Sequence, residues 1–165
     1  MRQCIINGKV ILKDKVINAN VYVEDDRICE ISQRLPDSEK IIDAKGRYVS
    51  PGFIESHSHW RNGSDFMYPS FEDLNTITSN FLKNGVTGIL ATTMTMSKED
   101  TYTAVKNIAE NKDKVNGSKI LGIHLEGPFF NLKYKGAQPE EYMIAPTIDN
   151  YKSLIGEYSY LIKKI

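Results

Sequence analysis

The hydrophobic pattern of this chain changes at Ser50-Pro51-Gly52, and everything downstream alternates between strand-like and helix-like stretches. Phe53-Ile54-Glu55-Ser56-His57 reads as a buried strand. Ser70 with Asp73 three residues later forms a helix start signal close to a capping box. That helix is expected over residues 71–84, with Leu74, Ile77, Phe81 and Leu82 on its apolar face and Gly85 just past its end. Residues 86–93 form the next strand. Ser97 and Asp100 repeat the start signal for a helix reaching about Lys112, with Val105, Ile108 and Ala109 inward. A strand follows over 119–126. Tyr151, Leu154, Ile155 and Tyr158 mark a third helix after Pro146-Thr147, and residues 160–165 begin a fourth strand. Phe53, Phe81 and Tyr102 are read as core. Strands separated by helices predict an α/β fold, either an open parallel sheet or a (β/α)8 barrel. In both, the C-terminal strand ends share one face, where such folds place their chemistry.

Upstream the elements are shorter. Residues 3–6, 9–12, 19–24, 27–31, 40–43 and 47–49 read as strands, with turns at Asp25-Asp26 and Ala44-Lys45-Gly46. Asn7-Gly8 is a hairpin signal. Residues 1–50 are therefore expected to form a small β-sheet unit, separate from residues 51–165.

Charge excludes several functions. Lysine plus arginine equals aspartate plus glutamate at 21 each, so no electrostatic footprint for nucleic acid or an anionic membrane is present. No stretch approaches the ~20 apolar residues of a membrane span, and the N-terminus lacks the apolar core of a secretory signal. The two cysteines, Cys4 and Cys29, have no metal or disulfide spacing. They are expected to be small core-facing residues in a cytoplasmic protein.

Few residues carry chemistry. His57-Ser58-His59 ends the first strand after the boundary, and side chains at i and i+2 share one side of a strand, so two imidazoles can grip one divalent ion. Inert, hydrogen-bonded histidines are the alternative. Glu126, in His124-Leu125-Glu126-Gly127-Pro128, stands at the end of the third strand, where it can join the same ion or remain a solvated carboxylate. His124 is read as a buried, hydrogen-bonded support rather than a ligand. The loop Lys133-Tyr134-Lys135-Gly136-Ala137-Gln138-Pro139 offers backbone amides to a polar group, or is simply solvated. No phosphate-binding glycine loop, nucleophile elbow or internal repeat is present.

Taken together these segments resemble a known family. Pro51-Gly52-Phe53-Ile54-Glu55-Ser56-His57-Ser58-His59 resembles the first-strand signature of the amidohydrolase superfamily. Residues 85–93, and Ile120 to Phe129 followed by Lys135-Gly136-Ala137, are similar to the N-acetylglucosamine-6-phosphate deacetylases. The resemblance covers roughly Arg2 to Ile165. It implies the N-terminal strands of a small β-sandwich over 1–50, then over 51–165 the first three βα units and the start of the fourth strand of a (β/α)8 TIM-type barrel. It implies hydrolysis of the N-acetyl group of N-acetylglucosamine 6-phosphate, with one or two divalent ions, zinc, iron or similar, as cofactor. His57, His59 and Glu126 match metal ligands, and Ala137 matches a position whose backbone contacts the sugar. The implied partner is the small amino-sugar phosphate, with homodimerisation common in the family.

The chain also departs from the family pattern. The catalytic aspartate and later ligand histidines would lie beyond residue 165, so none is assigned in this chain. Trp60-Arg61-Asn62-Gly63 replaces a glycine-rich run, and Gln138 stands where many members have histidine. A barrel cut inside its fourth strand exposes sheet edges that are normally covered. The chain alone is therefore expected to be inactive, aggregation-prone or partly unfolded, and a weak metal binder. A dihydroorotase-like or deaminase-like amidohydrolase, a non-catalytic remnant, or a plain metal-binding module remain as alternatives.

Overall fold

A computed structural model of the chain describes residues 2–165. The chain divides into two compact units on either side of the Pro51–Gly52 bond.

The N-terminal unit is a five-stranded sheet built around β1 (Arg2–Ile11). β2 (Val16–Glu24) pairs antiparallel with β1, and β3 (Arg27–Ser32) antiparallel with β2. On the other side of β1, β4 (Lys40–Asp43) and β5 (Tyr48–Val49) both run parallel to it. Period-2 alternation separates two faces. Val10, Ala19 and Val21 form a small apolar cluster with Ile5, Val23 and Val49 packed on it. Cys4 and Tyr22, paired across β1 and β2, are buried, and the Tyr22 hydroxyl donates to the Arg34 carbonyl at 2.6 Å.

Asn7-Gly8 does not make the expected hairpin. β1 runs straight through it, and the pairing with β2 slips by one residue between Ile5 and Gly8, a β-bulge. Asn7 takes the left-handed conformation at φ 56°, and its side-chain amide donates to Asp43 at 3.0 Å. Cys29 is a second correction: it lies exposed on β3, whereas Cys4 is buried.

The C-terminal unit begins with β6 (Phe53–Ser58), followed by a short hairpin of β7 (Trp60–Arg61) and β8 (Ser64–Asp65). Here an Asn-Gly dipeptide does turn the chain: Asn62 and Gly63 have φ 56° and 82°, the pair of positive values a two-residue hairpin turn needs. Next come α1 (Phe71–Leu82), β9 (Val86–Thr92), α2 (Lys98–Asn111) and β10 (Lys119–His124). A long loop then leads to α3 (Ile148–Ile155) and β11 (Ile162–Lys164). The strands form a four-stranded sheet in the order β11-β10-β9-β6, every pair parallel.

The helix starts follow the capping logic. Ser70 and Ser97 accept from the backbone N–H groups of Asp73 and Asp100, each at 3.1 Å, and Thr147 accepts from Asn150. Leu74, Ile77 and Phe81 of α1 and Val105 and Ile108 of α2 are buried against Ile89, Ile120 and Ile123 of the sheet. Each such side chain contributes about 1.5–3 kcal/mol by leaving water. Leu82, placed inward by sequence, is 43% exposed, because α1 ends there with Lys83 as its cap. The sequence pattern predicts a buried β6 with Phe53 in the core. Instead β6 is an edge of the sheet, and Phe53 and Ile54 are 68% and 67% exposed.

Candidate metal centre

All four strands of this sheet point the same way, so the residues following β6, β9, β10 and β11 gather along one rim. There His57, at the end of β6, and His59, in the bend after it, meet Glu126, two residues past β10. His57 Nε2 lies 2.7 Å and His59 Nε2 2.9 Å from the same carboxylate oxygen, Glu126 Oε2, and the two Nε2 atoms are 3.3 Å apart. Local bonds aim the histidines. The His57 N–H donates to Glu55 Oε1 at 2.9 Å, and the Ser58 N–H donates to Thr92 Oγ1 at 3.0 Å, which ties the end of β6 to β9.

This donor set suits a divalent cation. Two imidazole nitrogens and a carboxylate oxygen are typical zinc or iron ligands. Atoms about 2.0–2.1 Å from one ion in tetrahedral directions lie roughly 3.3 Å from each other; the Nε2–Nε2 edge of 3.3 Å has that length, and the edges to Glu126 Oε2, at 2.7 and 2.9 Å, are shorter. Two of the edges are also hydrogen-bond lengths, with both imidazoles facing one oxygen.

His124 sits behind this triangle. It is buried, and its ring meets that of His57 edge-on at 4.8 Å. Its own ligand atom lies within 4.8 Å of those of His57 and Glu126. The triangle with His59 is tighter, and this decides which histidines face the carboxylate. Burial, reinforced by the charges of Lys164 and His57, lowers the His124 pKa to about 4, so the ring is neutral at physiological pH. It was expected to be hydrogen-bonded, yet its Nδ1 has no partner among the described residues; neither has the buried Nδ1 of His59. His124 packs against the His57 ring and lines the same cavity, where its ligand atom makes a second candidate donor set with His57 and Glu126.

A cavity of about 430 Å³ opens beside the triangle, lined by His57, His124, Glu126, Phe129, Phe130 and Lys164. Its wall follows Gly127, which has φ +80° and sits so close to Thr95 Oγ1 that an added Cβ would lie 2.0 Å from it. Ala137 is exposed in the turn from Lys135 to Gln138, with Gly136 at φ 61°. Gln138, noticed in the sequence only as a departure, is 8% exposed, and its side-chain amide donates to Glu126 Oε1 at 3.0 Å. No local pattern announces that contact, because it forms between a loop and a strand end.

Residues 48–158, which include the whole rim up to α3, match the amidohydrolase family. The chain belongs to that family. Among curated relatives, it is 33% identical over 162 residues to the N-acetylglucosamine-6-phosphate deacetylase of Bacillus subtilis (strain 168), covering 93% of this chain and 41% of the relative. It is 42% identical over 95 residues to the deacetylase of the same name from Vibrio furnissii, covering 57% of this chain and 24% of that one. Among solved structures, N-acetylglucosamine-6-phosphate deacetylase from Pasteurella multocida superposes with a TM-score of 0.80 at 26% identity, over 94% of this chain and 43% of that protein. The match thus spans about two fifths of the Bacillus subtilis and Pasteurella multocida proteins and about a quarter of the Vibrio furnissii one. Among the described residues no helix is long and apolar enough to cross a membrane.

Proposed function

We propose that the protein carrying these residues is a metal-dependent deacetylase that hydrolyses the N-acetyl group of N-acetylglucosamine 6-phosphate to glucosamine 6-phosphate and acetate. The observation that carries this reading is the convergence of His57, His59 and Glu126 on one point, within a segment similar along its length to deacetylases of that name. In this reading the three side chains hold a divalent cation, which when bound polarises an amide carbonyl and lowers the pKa of a coordinated water. Phe129 and Phe130 wall the cavity against bulk water, and the Ala137 backbone faces the sugar. Residues 2–165 supply no assigned proton-transferring carboxylate, so that role falls to the aspartate the family places beyond residue 165.

The same proposal extends to architecture. The parallel sheet of β6, β9, β10 and β11 is the opening part of a (β/α)8 barrel, and residues 1–50 are part of a small β-sandwich. Two free thiols, Cys4 and Cys29, suit a reducing cytoplasm, and the family resemblance suggests a homodimer.

The test is acetate release from N-acetylglucosamine 6-phosphate by the full-length gene product with added divalent metal, against a Glu126→Gln variant. Metal-dependent release that falls at least 100-fold in the variant is expected. Turnover of a cyclic amide such as a dihydropyrimidine, with none of the amino sugar, would overturn the proposal in favour of a dihydroorotase-like enzyme.

A further inference from the structure

We propose that Gln138 is a positioning residue for Glu126: it fixes the carboxylate so that Oε2 is turned to the histidine side of the site. The inference rests on the reading of His57, His59 and Glu126 as metal ligands. The Gln138 side chain is 8% exposed and bridges two loops. Its Oε1 accepts from the backbone N–H of Thr95 at 3.2 Å, and its Nε2 donates to Glu126 Oε1 at 3.0 Å. Thr95 is itself fully buried, in the loop between β9 and α2.

This geometry allows one amide orientation. A backbone N–H can only donate, so the oxygen of the Gln138 amide must face Thr95. The NH2 group is then left facing Glu126, where only an acceptor can meet it. Glu126 Oε1 therefore accepts from a neutral donor, which orients the carboxylate with Oε2 toward the two imidazoles, 2.7 and 2.9 Å away. A neutral amide leaves the carboxylate its full negative charge, which an adjacent lysine would partly offset. Lys135, on the same turn as Gln138, is engaged elsewhere: its Nζ donates to the Gln138 backbone carbonyl at 3.0 Å and pins the turn that carries the side chain. The Thr95 hydroxyl also reaches the Glu126 carbonyl, at 3.4 Å, so the Thr95 loop holds both the backbone and the side chain of residue 126. Hydrogen-bond partners of ligating groups typically change metal affinity 10- to 100-fold when removed.

The test is a double-mutant cycle in the full-length protein, read as Co(II) affinity by chelator competition and as the Co(II) visible spectrum. Gln138→Met keeps the length of the side chain and removes both polar contacts. Affinity is expected to fall about 10- to 100-fold, with a changed spectrum as Glu126 rotates. In a Glu126→Gln background the same substitution is expected to change affinity less than about 2-fold, because the group it acts through is gone. Equal losses in both backgrounds, or no loss in the first, would overturn the proposal. If Gln138→Met does not fold, Gln138→Glu replaces it in the cycle. That variant keeps the acceptor for Thr95 but cannot donate to a carboxylate, and wild-type affinity and spectrum there would overturn the proposal equally. Co(II) affinity untouched by Glu126→Gln alone would overturn the metal-site reading itself, and the Gln138 role with it.

Discussion

Strands β10 and β6 carry the two halves of the same site but are supported in opposite ways. β10 lies between β9 and β11, with Ile120, Ile123 and His124 buried, and the Glu126 that follows it is held by Gln138. β6 has only β9 beside it among the described residues, and its leading side chains, Phe53 and Ile54, face solvent. The His57 side chain is 48% exposed, against 20% for Glu126. The carboxylate is thus mounted on the core, while His57 hangs from an edge strand tied to β9 and braced by Glu55 and Thr92; His59, in the bend beyond, is as buried as Glu126 and its carbonyl accepts from the Phe66 N–H. Position in a sheet, more than residue type, sets how firmly a ligand is aimed.

The largest effect expected from this contrast is at β10. Ile123→Ala removes a fully buried side chain and should lower unfolding free energy by about 2–5 kcal/mol, measured by denaturant titration. A cost below about 1 kcal/mol would place β10 outside the core that the contrast assumes. Next is the bend after β10. Gly127→Ala must hold φ +80° against Thr95 Oγ1, at a strain of about 1–3 kcal/mol. It should also weaken Co(II) binding, because Glu126 is the preceding residue; unchanged binding would show that the bend does not set the carboxylate. Ser97→Ala, which removes the α2 cap following β9, should cost about 1 kcal/mol without altering metal affinity. The smallest effect belongs to the edge. Ile54→Ala, chemically the same change as at Ile123, should stay within about 0.5 kcal/mol. A loss matching that at Ile123 would mean that β6 is covered in the full-length protein and that the contrast fails there.

Local signals were read well where the physics is local. Ser70 with Asp73 and Ser97 with Asp100 announced two helices because a cap satisfies backbone groups within its own first turn. Asn-Gly shows the limit of such reading. At Asn62-Gly63 both residues take positive φ and the chain reverses, whereas at Asn7-Gly8 only Asn7 does and the strand continues. The difference lies in β1's partners: β2 on one side and β4 and β5 on the other hold it extended through the bulge. The exposure of Phe53, Ile54, Leu82 and Cys29 was equally hidden, since an apolar residue type says nothing about whether a neighbour arrives to cover it.

The sequence by itself announced the change of pattern at Ser50-Pro51-Gly52, the alternation of the main strands and helices after it, and the residues with the chemistry to bind a cation, because propensity, capping and side-chain chemistry are properties of short segments. The tertiary structure decided which strand is central and which is an edge, and that the His124 ring packs edge-on against His57. It also decided that Gln138 reaches across to hold Glu126. Those outcomes depend on groups far apart in the chain: Thr95 and Gln138, which share one hydrogen bond, are 43 residues apart. Only the parallel pairing of β9 with β10 brings their loops together.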